Sequence, residues 1–504
     1  MLGLIFAATL SLTEILKLPE LKHAIVAGEV YDLDTKRVLW SKNGATRVVG
    51  ASTTKLLTNG TTLALLGPDF RFITPVYRAG TVDANGTLNG ALVLVASGDP
   101  NLSQRIQPDG TLAFENEDHA YDGSFETKAV PGDPLAVLRD LARQVAAAGI
   151  KRVNGPVLVD SSRLPDQGPE GGTGTVVSSI VVNDNLVDVV VSPGARPGDP
   201  VTIAVSPQTP YVNFVVRATT GEPKSEPTID LSKDVRNPDG SHTVTITGTQ
   251  PPEAPILYAY RVPQPEVFAE YAFAQALRDA GVGVEPQPRG YVSAIVAFDK
   301  ENLVAKHVSP PVSEDVKVTM KVSDNLHASL QPYDWGIYAA HAASDWLNAG
   351  FAQQRALLTH AGLDLTGASE MDGAGSASFF TPDFMVHYLA WASAQAWYPE
   401  FERALPILGV DGTLFNIQTT SPAKGHVFAK TGTFGWPNLL GGPDHVMISK
   451  ALAGYTTTKR GHHVAFAFFI DRIEGPQSVD TSKDTAHDAG ELLGAMATAT
   501  YISL

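Results

Sequence analysis

The pattern of apolar and polar positions changes period along the chain. Residues 23–31 and 37–40 are strand-like runs joined by Asp32-Leu33-Asp34-Thr35, which predicts a β-hairpin. A helical pattern follows, carried by Leu56, Leu57, Leu63, Leu65 and Leu66 and stopped by Gly67-Pro68. Near the other end, residues 451–458 and 462–471 predict a second hairpin, and residues 485–500 a helix. Two terminal hairpins with flanking helices predict one antiparallel sheet built from both ends of the chain.

The middle reads as insertion. Residues 72–78 and 91–96 flank the turn-rich DANGTLNG and predict another hairpin. Asp133 opens a helix bearing Leu135, Leu138, Leu141 and Val145, closed by Gly149, and a strand at 157–159 runs into Asp160. A helix of similar pattern recurs at 266–282. Between them, residues 176–248 are short β runs broken by PGARPGDP, TTGEPKSEP and NPDGSH. The expected organisation is a main domain from 1–75 and 284–504, an inserted α/β domain from 76–175 and 249–283, and a nested all-β domain at 176–248. Helical pattern returns at 315–328 and 334–361, with a loop at 370–378 and a helix at 382–394.

Composition narrows the function classes. With 43% hydrophobic and 18% charged residues over 504 positions, the chain can build substantial cores. A formal charge of −16 excludes a nucleic-acid binder, whose partner demands basic patches. Without cysteine there is no disulfide frame and no thiolate metal site. Residues 2–12 are apolar but too short to span a bilayer, and read either as the apolar part of a signal or as a helix continuing to Leu21. No transmembrane span is expected elsewhere.

Chemistry concentrates in three short motifs. Ser52 and Lys55 stand one helical turn apart in ASTTKLLTNG, so a serine hydroxyl and an amine able to take its proton share one face. Ser421 and Lys424 have the same spacing, but Pro422 makes a matching helix turn improbable. Ser323-Asp324-Asn325 follows a charged stretch; if extended, its first and third residues point the same way. Lys430-Thr431-Gly432-Thr433 lies in a strand-like run, where the absent Cβ of Gly432 would let a substrate backbone lie close. Each motif alone is weak; the ordered set is hard to obtain by chance.

The set of SxxK, SxN and KTG resembles that of the class C low-molecular-mass penicillin-binding proteins, the D-alanyl-D-alanine carboxypeptidase/endopeptidase family. The resemblance extends through SGDPNLS, VDSSRLP, VNDN, HVSPPVSE, MDGAG and DGTL, and through the 268 positions from Lys55 to Ser323. It departs at Gly50, where the family usually has Pro, at the Leu326-His327 pair, at Ala374 in the DG-Ser-Gly loop, and in a longer 435–450 segment. The resemblance implies an α+β fold: a serine β-lactamase/transpeptidase-like domain, its antiparallel sheet flanked by helices, with the inserted domains described above. It further implies acyl transfer, with Ser52 as nucleophile and Lys55 as base, made neutral by burial and by Lys430. Ser323 would relay the proton, Asn325 would bind the substrate amide, and Lys430, Thr431 and Thr433 would hold the terminal carboxylate beside Gly432. The implied substrates are peptidoglycan peptides, the implied covalent inhibitors β-lactams, and the implied location periplasmic or otherwise extracytoplasmic. Asp160 matches a family aspartate that meets the amine of a diaminopimelate side chain, or is simply a turn-forming residue.

No metal or other cofactor is expected: His462-His463 has no third ligand at metal spacing, and the Gly-rich stretch 372–376 lacks the ending of a phosphate loop. The run 115–118 reads as a solvated acidic loop. Two other readings stay open: a serine esterase or β-lactamase-like hydrolase, and a non-catalytic wall-binding protein.

Overall fold

The computed structural model describes residues 10–284, 299–440 and 445–504. The chain divides into two compact units, one of Met1–Phe70, Phe114–Glu117 and Val312–Leu504, the other of Arg71–Ala113 and Asp118–Pro311. The apolar run before residue 10 lies outside the described residues; after it come a short helix, Leu12–Ile15, and a turn at Pro19–Leu21, rather than one continuous helix.

The first unit is built on an antiparallel sheet joining both ends of the chain. Its strands run in the order Arg37–Lys42, Ile25–Asp32, His463–Asp471, His445–Thr457 and Val427–Pro437, with Ile473–Gly475 also paired to His445–Thr457. The central strand shows why the sheet carries helices on both faces. Successive side chains point to opposite faces, and here both faces are apolar. Phe466, Phe468 and Ile470 pack in one core with Leu492, Leu493 and Met496 of the helix Thr485–Ser503. Ala465, Ala467 and Phe469 pack in another with Leu56 and Leu57 of the helix Thr54–Leu66 and with Phe384, Tyr388 and Leu389 of the helix Pro382–Ala392.

The second unit holds a mixed sheet in the order Gly283–Val284, Arg152–Val153, Thr87–Val95, Ile73–Val82 and Leu303–Val308, with Val157–Asp160 paired in parallel to Thr87–Val95. Two further three-stranded sheets follow. Ile256–Arg261, Leu186–Ser192 and Thr202–Ser206 form one; Val212–Val216, His242–Thr247 and Asp230–Arg236 form the other. Two strands depart from the expected boundaries. Leu303–Val308 pairs with Ile73–Val82, so the second unit reaches Pro311 instead of ending near 283. Ile256–Arg261 pairs with Leu186–Ser192, and so belongs with the small β module. Pairing partners so distant in sequence leave no mark on local periodicity.

A buried ionic cluster corrects the solvated reading at Asp118, while residues 115–117 of the run stay part-exposed. Asp118 is buried and accepts a bidentate pair from Arg105 at 2.9 and 2.7 Å; Arg105 also bonds Asp184. His119 lies between Asp184 and Asp188, each at 2.8 Å. Burial opposes charge on this ring, but the two carboxylates outweigh it and hold its pKa well above the ordinary histidine value. Among the described residues, no helix is long and apolar enough to cross a membrane.

Candidate active site

The nucleophile motif sits where a short strand turns sharply into a helix. Val48–Val49 pairs with Phe379–Phe380, and the Gly50 N–H donates to the Ser378 carbonyl at 2.9 Å. Ala51 then takes a left-handed φ of 43°, uncommon for a residue with a Cβ, and Ala51–Thr53 forms a single tight turn feeding Thr54–Leu66. The helix ends at Gly67, whose φ of 85° suits glycine. Lys55 is fully buried one turn beyond Ser52, and its Nζ is 2.8 Å from the Ser52 Oγ. The same Nζ donates to Asn325 Oδ1 at 2.6 Å and to the Ala374 carbonyl at 3.1 Å.

The second motif is reached through a helix break inside 315–328, a stretch whose pattern predicts helix. Val312–Lys321 stops, Ser323 turns left-handed at φ 68°, and Asp324 caps the next helix, Asn325–Asp334, by accepting from the His327 N–H. The turn nonetheless aims both ends of the motif into the site. Asn325 meets Lys55, and the Ser323 hydroxyl accepts from Lys430 Nζ at 2.8 Å.

The third motif lies on the strand Val427–Pro437. Lys430, fully buried, also donates to the Thr431 carbonyl at 2.9 Å. Its pKa is held well below the ordinary lysine value, first by burial and then by repulsion from Lys55 and Lys450. Gly432 has a structural reason of its own. A Cβ there would stand 2.9 Å from the Gly50 carbonyl oxygen and 3.2 Å from the Ser52 nitrogen. The close approach that requires glycine is thus to the protein's own nucleophile turn. Thr431 donates to the Thr413 hydroxyl at 2.7 Å, and exposed Thr433 accepts from Lys450 Nζ at 2.8 Å.

Several participants lie outside the three catalytic motifs. Ala374 presents its carbonyl to Lys55 because Asp372 Oδ1 gathers the N–H groups of Ala374, Gly375 and Ser376 at 2.9, 2.5 and 3.2 Å. Gly375, at φ 97°, admits the Ala51 carbonyl, which would lie 2.1 Å from a Cβ. Thr413 lies in the DGTL stretch. Lys450 is visible only once strand register is known.

The decoy pair resolves as expected: the Ser421 hydroxyl bonds Thr498, and Lys424 sits in a turn. Asp160 belongs to the second unit, where its Oδ1 accepts from the Ser162 N–H at 2.9 Å. His462 and His463 each face a carboxylate, Asp32 and Asp34.

Residues 8–490 match the sequence signature of the D-Ala-D-Ala carboxypeptidase 3 (S13) family. The chain belongs to the S13 family. This S13 protein is 29% identical over 451 residues to a D-alanyl-D-alanine carboxypeptidase of Actinomadura sp. strain R39, a match covering 85% of this chain and 76% of that one. It is 23% identical over 458 residues to the D-alanyl-D-alanine carboxypeptidase DacB of Haemophilus influenzae, covering 87% and 84%. Its fold matches the crystal structure of penicillin binding protein 4 (dacB) from Haemophilus influenzae with a TM-score of 0.72 at 20% identity, over 98% of this chain and all of that one. The S13 chain is therefore a serine-type D-Ala-D-Ala carboxypeptidase with an α+β, penicillin-binding-protein fold.

Proposed function

We propose that Ser52 opens the D-Ala-D-Ala bond of peptidoglycan stem peptides through an acyl-enzyme, with neutral Lys55 as its base. The observation that carries this reading is the surroundings of Lys55 Nζ: the Ser52 hydroxyl at 2.8 Å, and two groups that can only accept from it, Asn325 Oδ1 and the Ala374 carbonyl. A neutral amine has two N–H donors and one lone pair. In the neutral form the amine would give its two N–H groups to these acceptors and turn its lone pair to the Ser52 O–H, the geometry it needs to take that proton. Burial, and after it repulsion from Lys55, lowers the pKa of Lys430, so the buried site favours one ammonium over two.

In the forward step, Ser52 Oγ attacks the carbonyl carbon of the penultimate D-Ala while Lys55 takes the hydroxyl proton. The tetrahedral oxyanion is received by the backbone N–H groups of Ser52 and Thr433, consistent with Gly432 running beside the Ser52 nitrogen. Ser323, hydrogen-bonded to Lys430, delivers a proton to the leaving D-Ala amine, and Asn325 bonds the substrate amide. Lys430, Thr431 and Thr433 hold the terminal carboxylate. Water then hydrolyses the Ser52 ester. A β-lactam would acylate the same oxygen, and the reading places the protein outside the cytoplasm, where peptidoglycan lies. On family likeness, Asp160 would meet the diaminopimelate amine.

The test is D-alanine release from a stem pentapeptide, run beside cleavage of cross-linked dimers to separate carboxypeptidase from endopeptidase action. Wild type should cleave at least one substrate and Ser52→Ala neither. Turnover surviving in Ser52→Ala would overturn the assignment; turnover of simple esters alone would favour an esterase.

A further inference from the structure

The strand His445–Thr457, beside the third motif, carries Lys450, which lies outside the acyl-transfer set. Lys450 faces Thr433 directly across the sheet, in register. Its stem passes over the helix Thr485–Ser503 at Gly490, where an added Cβ would stand 3.5 Å from Lys450 Cε and 3.1 Å from Ile417 Cδ1. The stem is thereby guided, and its Nζ reaches the Thr433 hydroxyl at 2.8 Å.

We propose that Lys450 is a substrate-recognition residue that selects substrates bearing a free terminal carboxylate, by supplying positive charge behind the Thr433 hydroxyl and fixing which way that hydroxyl donates. The inference rests on the acyl-transfer reading above and adds the feature that reads the substrate's charge. A threonine hydroxyl has one O–H donor and two acceptor lone pairs. Lys450 can only donate while charged, so it occupies a lone pair and leaves the Thr433 proton to point outward, toward the place assigned to the carboxylate. Thr433 is exposed, as a residue that meets substrate must be.

The charges around Lys450 fit this use. Burial works against the ammonium, while Asp484 and Glu117 favour it. Burial prevails, lowering its pKa to about 8. An incoming carboxylate would add the counter-charge that these acids supply only in part. Carboxylate binding and protonation of Lys450 should therefore reinforce each other, and affinity for acids should fall as pH rises past about 8.

The experiment compares Lys450→Met and Lys450→Arg with wild type, on a D-Ala-D-Ala peptide and on its C-terminal amide. Lys450→Met should raise KM for the acid about tenfold or more with little change in kcat, as expected for loss of one charge-assisted contact, and should cut the acid-over-amide preference by the same factor. Lys450→Arg should restore the preference and remove the rise in KM above about pH 8. Equal losses on acid and amide, or an unchanged KM for the acid, would overturn the proposal. Fluorescent penicillin labelling of Ser52 in wild type is read in parallel. Its absence would strike the acyl-transfer reading and this inference with it, whereas labelling with no change in acid preference would strike the inference alone.

Discussion

Asn325→Asp is a nearly isosteric change that probes the protonation state of Lys55. It replaces the amide oxygen 2.6 Å from Lys55 Nζ with a carboxylate oxygen. The shape is retained, but a buried anion now favours the ammonium over the amine. An opposite charge at such a distance shifts the balance by ~1–3 pH units, or ~1.4–4 kcal/mol. If the neutral amine is the base, the reactive fraction at neutral pH falls by ~10- to 1,000-fold. The rate of acylation by a fluorescent penicillin should fall with it and recover as pH is raised. The assay is the second-order labelling rate across pH 6–10 for wild type, Asn325→Asp and Asn325→Ala. The alanine variant loses the contact without adding charge, so its rate should drop with no alkaline displacement of the profile. An Asn325→Asp enzyme with wild-type rate and an undisplaced profile would refute the neutral-lysine argument.

Three further substitutions test other parts of the structure. Gly432→Ala should destabilise the first unit by ~1–3 kcal/mol and sharply slow acylation, because its Cβ would press within 2.9 Å of the Gly50 carbonyl; thermal melting and labelling rate should both register it. Arg105→Ala takes the guanidinium from buried Asp118 and Asp184, leaving His119 beside Asp184, and should cost about 3–5 kcal/mol in urea unfolding, a loss below 1 kcal/mol contradicting the ion-pair account. Asp471 has its pKa raised to about 6, chiefly by burial, from 3.8. Its folded form therefore binds the proton more tightly than its unfolded form, and stability should fall as pH rises from about 4 to about 6 and then level off. The shift of roughly 2 units bounds the cost at about 3 kcal/mol, and Asp471→Asn should melt higher than wild type at pH 7.5 with a flatter profile below pH 6.

What could be read from the sequence was whatever depends on neighbours in sequence. Ser52 and Lys55 were legible because one helical turn sets their geometry, and Lys430 and Gly432 because a strand alternates. The terminal hairpins and the sheet uniting them followed from runs such as 463–471, apolar on both faces. What escaped depends on backbone handedness or distant partners. The left-handed Ser323 breaks a pattern that composition alone reads as helix. The Ala374 carbonyl is a backbone group, invisible in side-chain motifs, and Lys450 enters only through register with Thr433. Asp118 looked like part of a solvated run because its cation, Arg105, is thirteen residues away. The strands at 256–261 and 303–308 found partners that loop lengths do not announce.

The central claim, that Ser52 is the acylated nucleophile of this S13 enzyme, is tested most directly by mass spectrometry after brief exposure to benzylpenicillin. The account predicts one added penicilloyl group per wild-type chain, mapping to the peptide containing Ser52, and no adduct in Ser52→Ala. An adduct on any other residue, or one persisting in Ser52→Ala, would contradict it.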